Sequence, residues 1–136
     1  MQRAIPNGLA LCEGEADLKK RSARYDVYRF PFSRLDRAIT EGETTGMVKI
    51  FAAPDGRILG ASILGARAGD LIAELAVAMK YEVGLGQISE TIHPYPTYSL
   101  AIRRAADNYP LRKRTPTAIH LLKMLFRYRG TYIPYE

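Results

Sequence analysis

A chain of 136 residues can bury one real core. Hydrophobic residues make up 47% and charged residues 25%, a balance that excludes intrinsic disorder, and no run approaches the roughly 20 apolar residues of a spanning helix. The net charge of +6 is unevenly spread: six basic residues follow Tyr109, whereas only Glu136 among the acidic residues follows Asp107, so a nearly neutral segment carries a tail of +5.

Met1 to Cys12 shows little pattern. Ile5 and the Leu9–Leu11 run are broken by Pro6, Asn7 and Gly8, which is too short and interrupted for a signal peptide. The bulky Leu11 before Cys12 argues against a lipoprotein cleavage site. Cys12 is the only cysteine, so no internal disulfide can form and a cytoplasmic location is expected.

Glu13 to Arg24 reads as a helix, acidic early and basic late, as the helix dipole prefers. Asp26 to Phe30 alternates, with Tyr28 and Phe30 on one side, and reads as a strand ended by Pro31. Ser33 to Thr40 reads as a helical turn capped by Ser33. Thr45 to Ala52 is a second strand, with Met47, Lys49 and Phe51 opposite Val48 and Ile50. Pro54-Asp55-Gly56 is a turn, and Arg57 to Leu64 a third strand, so the pair predicts an antiparallel hairpin. Gly60 and Gly65 suggest a bulge or close packing.

Asp70 is placed to cap a helix reaching about Tyr81, with Leu71, Ile72, Leu75, Ala76 and Met79 on one face. Val83 to Ile92 is a turn with a short helical piece. Leu100 to Asn108 is a helix broken by Pro110. Pro116 suits the first turn of a last helix, capped by Thr115 and reaching about Tyr128. The order of elements predicts an α+β fold, an antiparallel sheet with helices packed on it.

Directly before Leu100 lies T-I-H-P-Y-P-T-Y-S, Thr91 to Ser99. Each proline fixes its own φ and keeps the residue before it out of the α region, so His93 and Tyr95 are held extended. Thr97 or Ser99 can cap the helix behind them. A stiff strap of this kind suits a site that must aim one side chain.

The strap resembles the C-terminal signature of the pyridine nucleotide-disulfide oxidoreductases, the family of dihydrolipoamide dehydrogenase, glutathione reductase and mercuric reductase. Their usual pattern is His-x-His-Pro-Thr-x-Ser-Glu. Matching Pro96, Thr97 and Ser99 puts His93 on the first His, Tyr95 on the second and Leu100 on the Glu. The family's second His and Glu are its acid–base pair, so both catalytic positions differ here. Tyr at the His position resembles the mercuric-reductase-like branch, whose members also carry similar basic tails. The segment Y-R-F-P-F-S-R-L-D-R-A and the hairpin T-G-M-V-K-I-F-A-A-P-D-G-R-I-L-G-A-S-I-L-G, followed by Gly65-Ala66-Arg67-Ala68, resemble the same family.

The likeness covers about Gly8 to Tyr109, which in the family is the C-terminal dimerisation domain alone, and it implies a strand near the N-terminus that is eroded or truncated here. It implies residues 1–109 as that domain and 110–136 as a basic helical tail. It implies a homodimer in which Pro94, Tyr98 and Ser99 shape the strap, Tyr95 is the candidate catalytic residue with His93 a weaker one, and Pro96 and Thr97 lie near the other subunit's flavin. It implies a cis bond before Pro96. FAD and NAD(P)H belong to the parent enzyme. This chain has neither their glycine-rich loops nor a CxxxxC redox pair, so it is expected to bind no cofactor and turn over nothing alone.

The remaining motifs are weaker. Gly84-Leu85-Gly86-Gln87-Ile88-Ser89 lacks a third glycine and follows a helix, so it reads as a plain turn. Two distant histidines and one cysteine give no metal cluster. His93 reads as a titrating base or, better, a structural hydrogen-bonding group. Tyr95, a phenol that stays protonated at neutral pH, reads as a donor to a thiolate, a neighbour of a soft metal, or a packed ring. The tail, with Arg112, Lys113, Arg114, Lys123, Arg127 and Arg129, reads as a helix packed on its own domain. Its alternative is a small basic module on anionic membrane, with nucleic acid less expected.

Overall fold

The computed structural model describes residues 3–5, 8–12, 14–113 and 124–126. Its centre is a five-stranded antiparallel sheet in the order β1-β2-β5-β4-β3. The strands are β1 (Arg3–Ile5), β2 (Gly8–Cys12), β3 (Asp26–Pro31), β4 (Gly46–Ala52) and β5 (Ile58–Gly65). The expected erosion of the N-terminal strand is corrected: β2 pairs with β5 from Gly8↔Leu64 to Cys12↔Gly60, and β1 folds back on β2. Backbone pairing supplies what the side-chain pattern did not announce.

The β4–β5 hairpin forms as its alternation requires. Val48, Ile50 and Ala52 are buried on one face, beside Ala61 and Ile63 of β5 and Tyr28 and Phe30 of β3. Met47, Lys49 and Phe51 point the other way. The register shifts between Phe51 and Ala52, opposite Gly60, which is the bulge that Gly60 suggested.

Six helices complete the described chain: α1 (Glu15–Lys20), α2 (Asp36–Glu41), α3 (Ala68–Lys80), α4 (Leu85–Glu90), α5 (Leu100–Ala106) and α6 (Asn108–Lys113). α3 crosses β2 and β5, while α5 crosses β3 and β4. Leu71, Ile72 and Leu75 of α3 and Ala101, Ile102 and Ala105 of α5 close one core with the sheet. Each large side chain buried there contributes about 1.5–3 kcal/mol.

Several boundaries differ from expectation. α1 stops at Lys20, and Ser22 turns into positive φ before β3. Ser33 does not cap α2. It lies in a 3-10 turn (Phe32–Arg34), and α2 starts after the extended Leu35. Asp70 is not the cap of α3: Arg67, in left-handed backbone, precedes the helix and Asp70 sits in its first turn, where the dipole favours a carboxylate. Ala78 is buried, while Ala76 and Met79 pack half-buried at the edge of the core. Pro110 does not break the helix. The chain bends at Asp107, and Pro110 lies in the first turn of α6, where its missing N–H is not needed. The helix expected from Thr115 to Tyr128 lies outside the described residues apart from residues 124–126, whose Met124, Leu125 and Phe126 are exposed.

Two glycine positions decide how the sheet meets the loops. Gly56, at φ 97°, has a built Cβ only 2.5 Å from the Tyr109 ring, and its carbonyl accepts the Leu85 N–H at 3.0 Å. Tyr109 donates its hydroxyl to the Asp55 carbonyl and meets Tyr28 edge-on at 6.0 Å. Gly46 and Gly65 face each other across β4 and β5, both at positive φ, and a Cβ on either would strike the Phe32 ring at 2.9–3.0 Å. Only glycine at both positions leaves room for the Phe32 ring there.

Candidate functional site

The strap runs from the end of α4 to the start of α5 and is tied at both ends. At its first end the His93 ring is buried. Its Nδ1 lies 3.1 Å from the Thr91 carbonyl oxygen and its Nε2 lies 2.8 Å from Glu74 Oε1 on α3. Both neighbours are acceptors, so a ring with a proton on each nitrogen satisfies both at once. Both ring nitrogens of His93 are thus engaged within the chain.

At its second end Tyr98 is 7% exposed and rests edge-on against Phe32 at 5.6 Å. Its hydroxyl donates to Glu41 Oε2 at 3.0 Å, and Glu41 Oε1 accepts the Arg37 Nε–H at 2.6 Å. The Tyr98 hydrogen bond, then Arg37, holds the Glu41 carboxyl below its usual value, although partial burial opposes them. Burial first, then the Glu41 charge, pushes the Tyr98 phenol up.

Thr97 and Ser99 do not cap α5; neither side chain bonds its first turn. Thr97 Oγ1 instead donates to the Pro94 carbonyl at 2.6 Å, and the Ser99 hydroxyl lies 2.9 Å from it. The only Thr97 proton is committed, so Ser99 is the donor of that pair. These bonds brace the bend from inside. The Tyr95–Pro96 bond is cis, in agreement with the resemblance.

Between the tied ends, Pro94, Tyr95 and Pro96 are exposed, and Tyr95 is 69% exposed. The influence of the Asp36 carboxylate pushes its phenol above the ordinary value. The strap thus gathers His93, Tyr95 and Tyr98 on one segment and sends only Tyr95 outward. Sequence reasoning missed the side chains that do this: Phe32, Glu41 and Glu74. A usable signal existed only for Phe32, an aromatic after Pro31 in a chain with two later glycines to seat it.

The Gly84–Ser89 stretch, read as a plain turn, is instead the start of a helix. Gly84 begins the six-residue α4, and Gln87 Oε1 accepts its N–H at 2.8 Å. Leu85 and Ile88 anchor α4 in the core. In the tail, Arg114, Lys123, Arg127 and Arg129 lie outside the described residues, as do the side chains of Arg112 and Lys113.

Known proteins give the same picture. The family model described as the pyridine nucleotide-disulphide oxidoreductase dimerisation domain matches residues 13–106. The chain is 43% identical over 93 residues to the mitochondrial dihydrolipoyl dehydrogenase of Dictyostelium discoideum, covering 68% of this chain and 19% of that protein. It is 40% identical over 94 residues to the mitochondrial dihydrolipoyl dehydrogenase of Homo sapiens, covering 68% and 18%. It thus spans about a fifth of the length of these relatives. Among solved structures, LpdA from Mycobacterium tuberculosis superposes with a TM-score of 0.69 at 25% identity, over 74% of this chain and 22% of that one. The HOCl-induced flavoprotein disulfide reductase RclA from Escherichia coli gives 0.68 at 21% identity, over 78% and 24%, a likeness of fold. The strap, the hairpin and the helices that hold them belong to a matched segment, and the chain is a member of the pyridine nucleotide-disulphide oxidoreductase dimerisation-domain family.

Proposed function

We propose that this chain pairs with a second copy of itself and presents Tyr95 to the redox site of the other subunit in a flavin-dependent disulfide oxidoreductase. The observation that carries the reading is the strap, tied at His93 and Tyr98 with Pro94, Tyr95 and Pro96 exposed between them. A loop braced in this way loses little further freedom when another surface closes on it.

In this reading FAD and NAD(P)H are held by domains of the parent enzyme. Pro96 and Thr97 stand nearest the partner's flavin, and Tyr95, keeping its proton, acts as a hydrogen-bond donor rather than a base. The Tyr at this position favours a mercuric-reductase-like parent in the cytoplasm. Residues 1–109 form the pairing domain, and residues 110–136 form a basic appendage that can add a weak contact with anionic membrane.

Light scattering on the purified chain tests the pairing. A molar mass twice that of the 15.2 kDa chain is expected, and a strict monomer at high concentration overturns it.

A further inference from the structure

A cleft of about 490 Å³ opens where β5 begins and where α1 and α3 end, and no residue of the strap lines it. Its lining is mainly apolar: Leu18, Ile58 and Ala78 are buried, and Leu59, Met79 and Val83 are half-buried. Three exposed charged residues border it, Arg21, Arg57 and Glu82. Small-molecule sites have this make-up, an apolar lining with few charged groups in about 300–1,000 Å³.

The two helix ends that wall the cleft close in the same way. After α1, Ser22 turns to φ 51°, its N–H bonds the Lys19 carbonyl at 3.1 Å, and the Ala23 N–H bonds the Leu18 carbonyl at 3.1 Å. After α3, Glu82 turns to φ 57° and the Val83 N–H bonds the Ala78 carbonyl at 2.8 Å. Such closures usually place glycine at the left-handed position, and other residues held there are strained, a feature that gathers at ligand clamps and other functional sites. These bonds satisfy the last carbonyls of both helices, so the charge of the cleft is set by its side chains, two guanidinium groups against one carboxylate. The Arg57 backbone is fixed: its N–H bonds Asp55 Oδ1 at 3.0 Å and its carbonyl accepts the Ala53 N–H at 2.9 Å. Among the described residues its guanidinium has no hydrogen-bond or ion-pair partner.

We propose that this cleft binds an organic anion with an apolar body, of the class of an aryl carboxylate or aryl sulfonate. The body lies against Leu18, Ile58 and Met79, and its burial supplies affinity. The anionic group takes the Arg57 guanidinium, whose planar fork matches an acceptor with two oxygens. The site is separate from the strap and does not depend on pairing.

The test is a titration of the intact, isotope-labelled chain with anilinonaphthalene sulfonate, followed by backbone amide NMR. Saturable binding is expected to move the amides of Leu59, Met79 and Val83 and to leave those of residues 93–98 in place. Phenylnaphthylamine, which has the same rings without the sulfonate, is expected to bind about tenfold more weakly. Arg57→Gln is expected to weaken the sulfonate by about the same factor and to leave the amine unchanged. Arg57 is exposed, so the substitution opens no cavity. Glu82→Gln, which removes the opposing charge, is expected to tighten the sulfonate. Shifts confined to other surfaces, equal binding of the two probes, or sulfonate binding that Arg57→Gln leaves intact would each overturn the assignment.

Discussion

Tyr95 and Tyr98 are the same residue type, three positions apart on one strap, yet 69% of one and 7% of the other meets solvent. The difference lies in what each finds beneath it. Tyr98 lands on Phe32, which itself fills the space left by two glycines without side chains, and its hydroxyl reaches a carboxylate already engaged by Arg37. Tyr95 projects from the bend, between two exposed prolines. Rigidity and availability are thus divided along nine residues. His93 and Tyr98 supply the first, and Pro94, Tyr95 and Pro96 between them the second.

The comparison can be broken hardest at Phe32. Replacing this fully buried ring by Ala removes the floor under Tyr98 and is expected to cost about 3–5 kcal/mol in urea unfolding. Glu74→Ala attacks the other end. It leaves His93 Nε2 buried without its acceptor, for about 1–3 kcal/mol, measured in the same way. Tyr98→Phe keeps the ring and removes only the hydroxyl bond, for about 0.5–1.5 kcal/mol.

That same variant has a pH signature. Glu41 titrates below its ordinary 4.5 in the fold, so its contribution is complete above pH 4.5 and is lost as pH falls through the lowered value. Tyr98→Phe removes the largest lowering cause, so the Glu41 carboxyl signal should move up toward 4.5 and the acid loss of stability should become shallower. An unmoved Glu41 signal would disprove the contact.

Tyr95→Phe is the smallest change. At an exposed crest it should shift stability by no more than about 0.5 kcal/mol. A larger loss would mean that Tyr95 supports the strap instead of being carried by it.

Much of this was readable from residue order. The hairpin followed from alternation around Pro54-Asp55-Gly56, and α3 from its apolar spacing. The bend of the strap followed from two prolines whose rings restrict their own and their neighbours' backbone. Capping was less readable. Ser33, Asp70, Thr97 and Ser99 all have hydroxyl or carboxylate side chains suited to a helix start, and none caps one here. A local preference of about 1 kcal/mol is easily outweighed by packing and by nearer acceptors such as the Pro94 carbonyl.

The chain by itself determined that residues 91–99 form a stiff bend on an antiparallel α+β platform, because proline geometry and side-chain periodicity act between near neighbours. Only the tertiary structure decided which tyrosine is buried and which faces out. That outcome depends on Phe32, Glu41 and Glu74, which come from segments 17 or more residues away from the strap in sequence. Contacts over such distances follow from how the sheet and helices pack, and no local pattern encodes them.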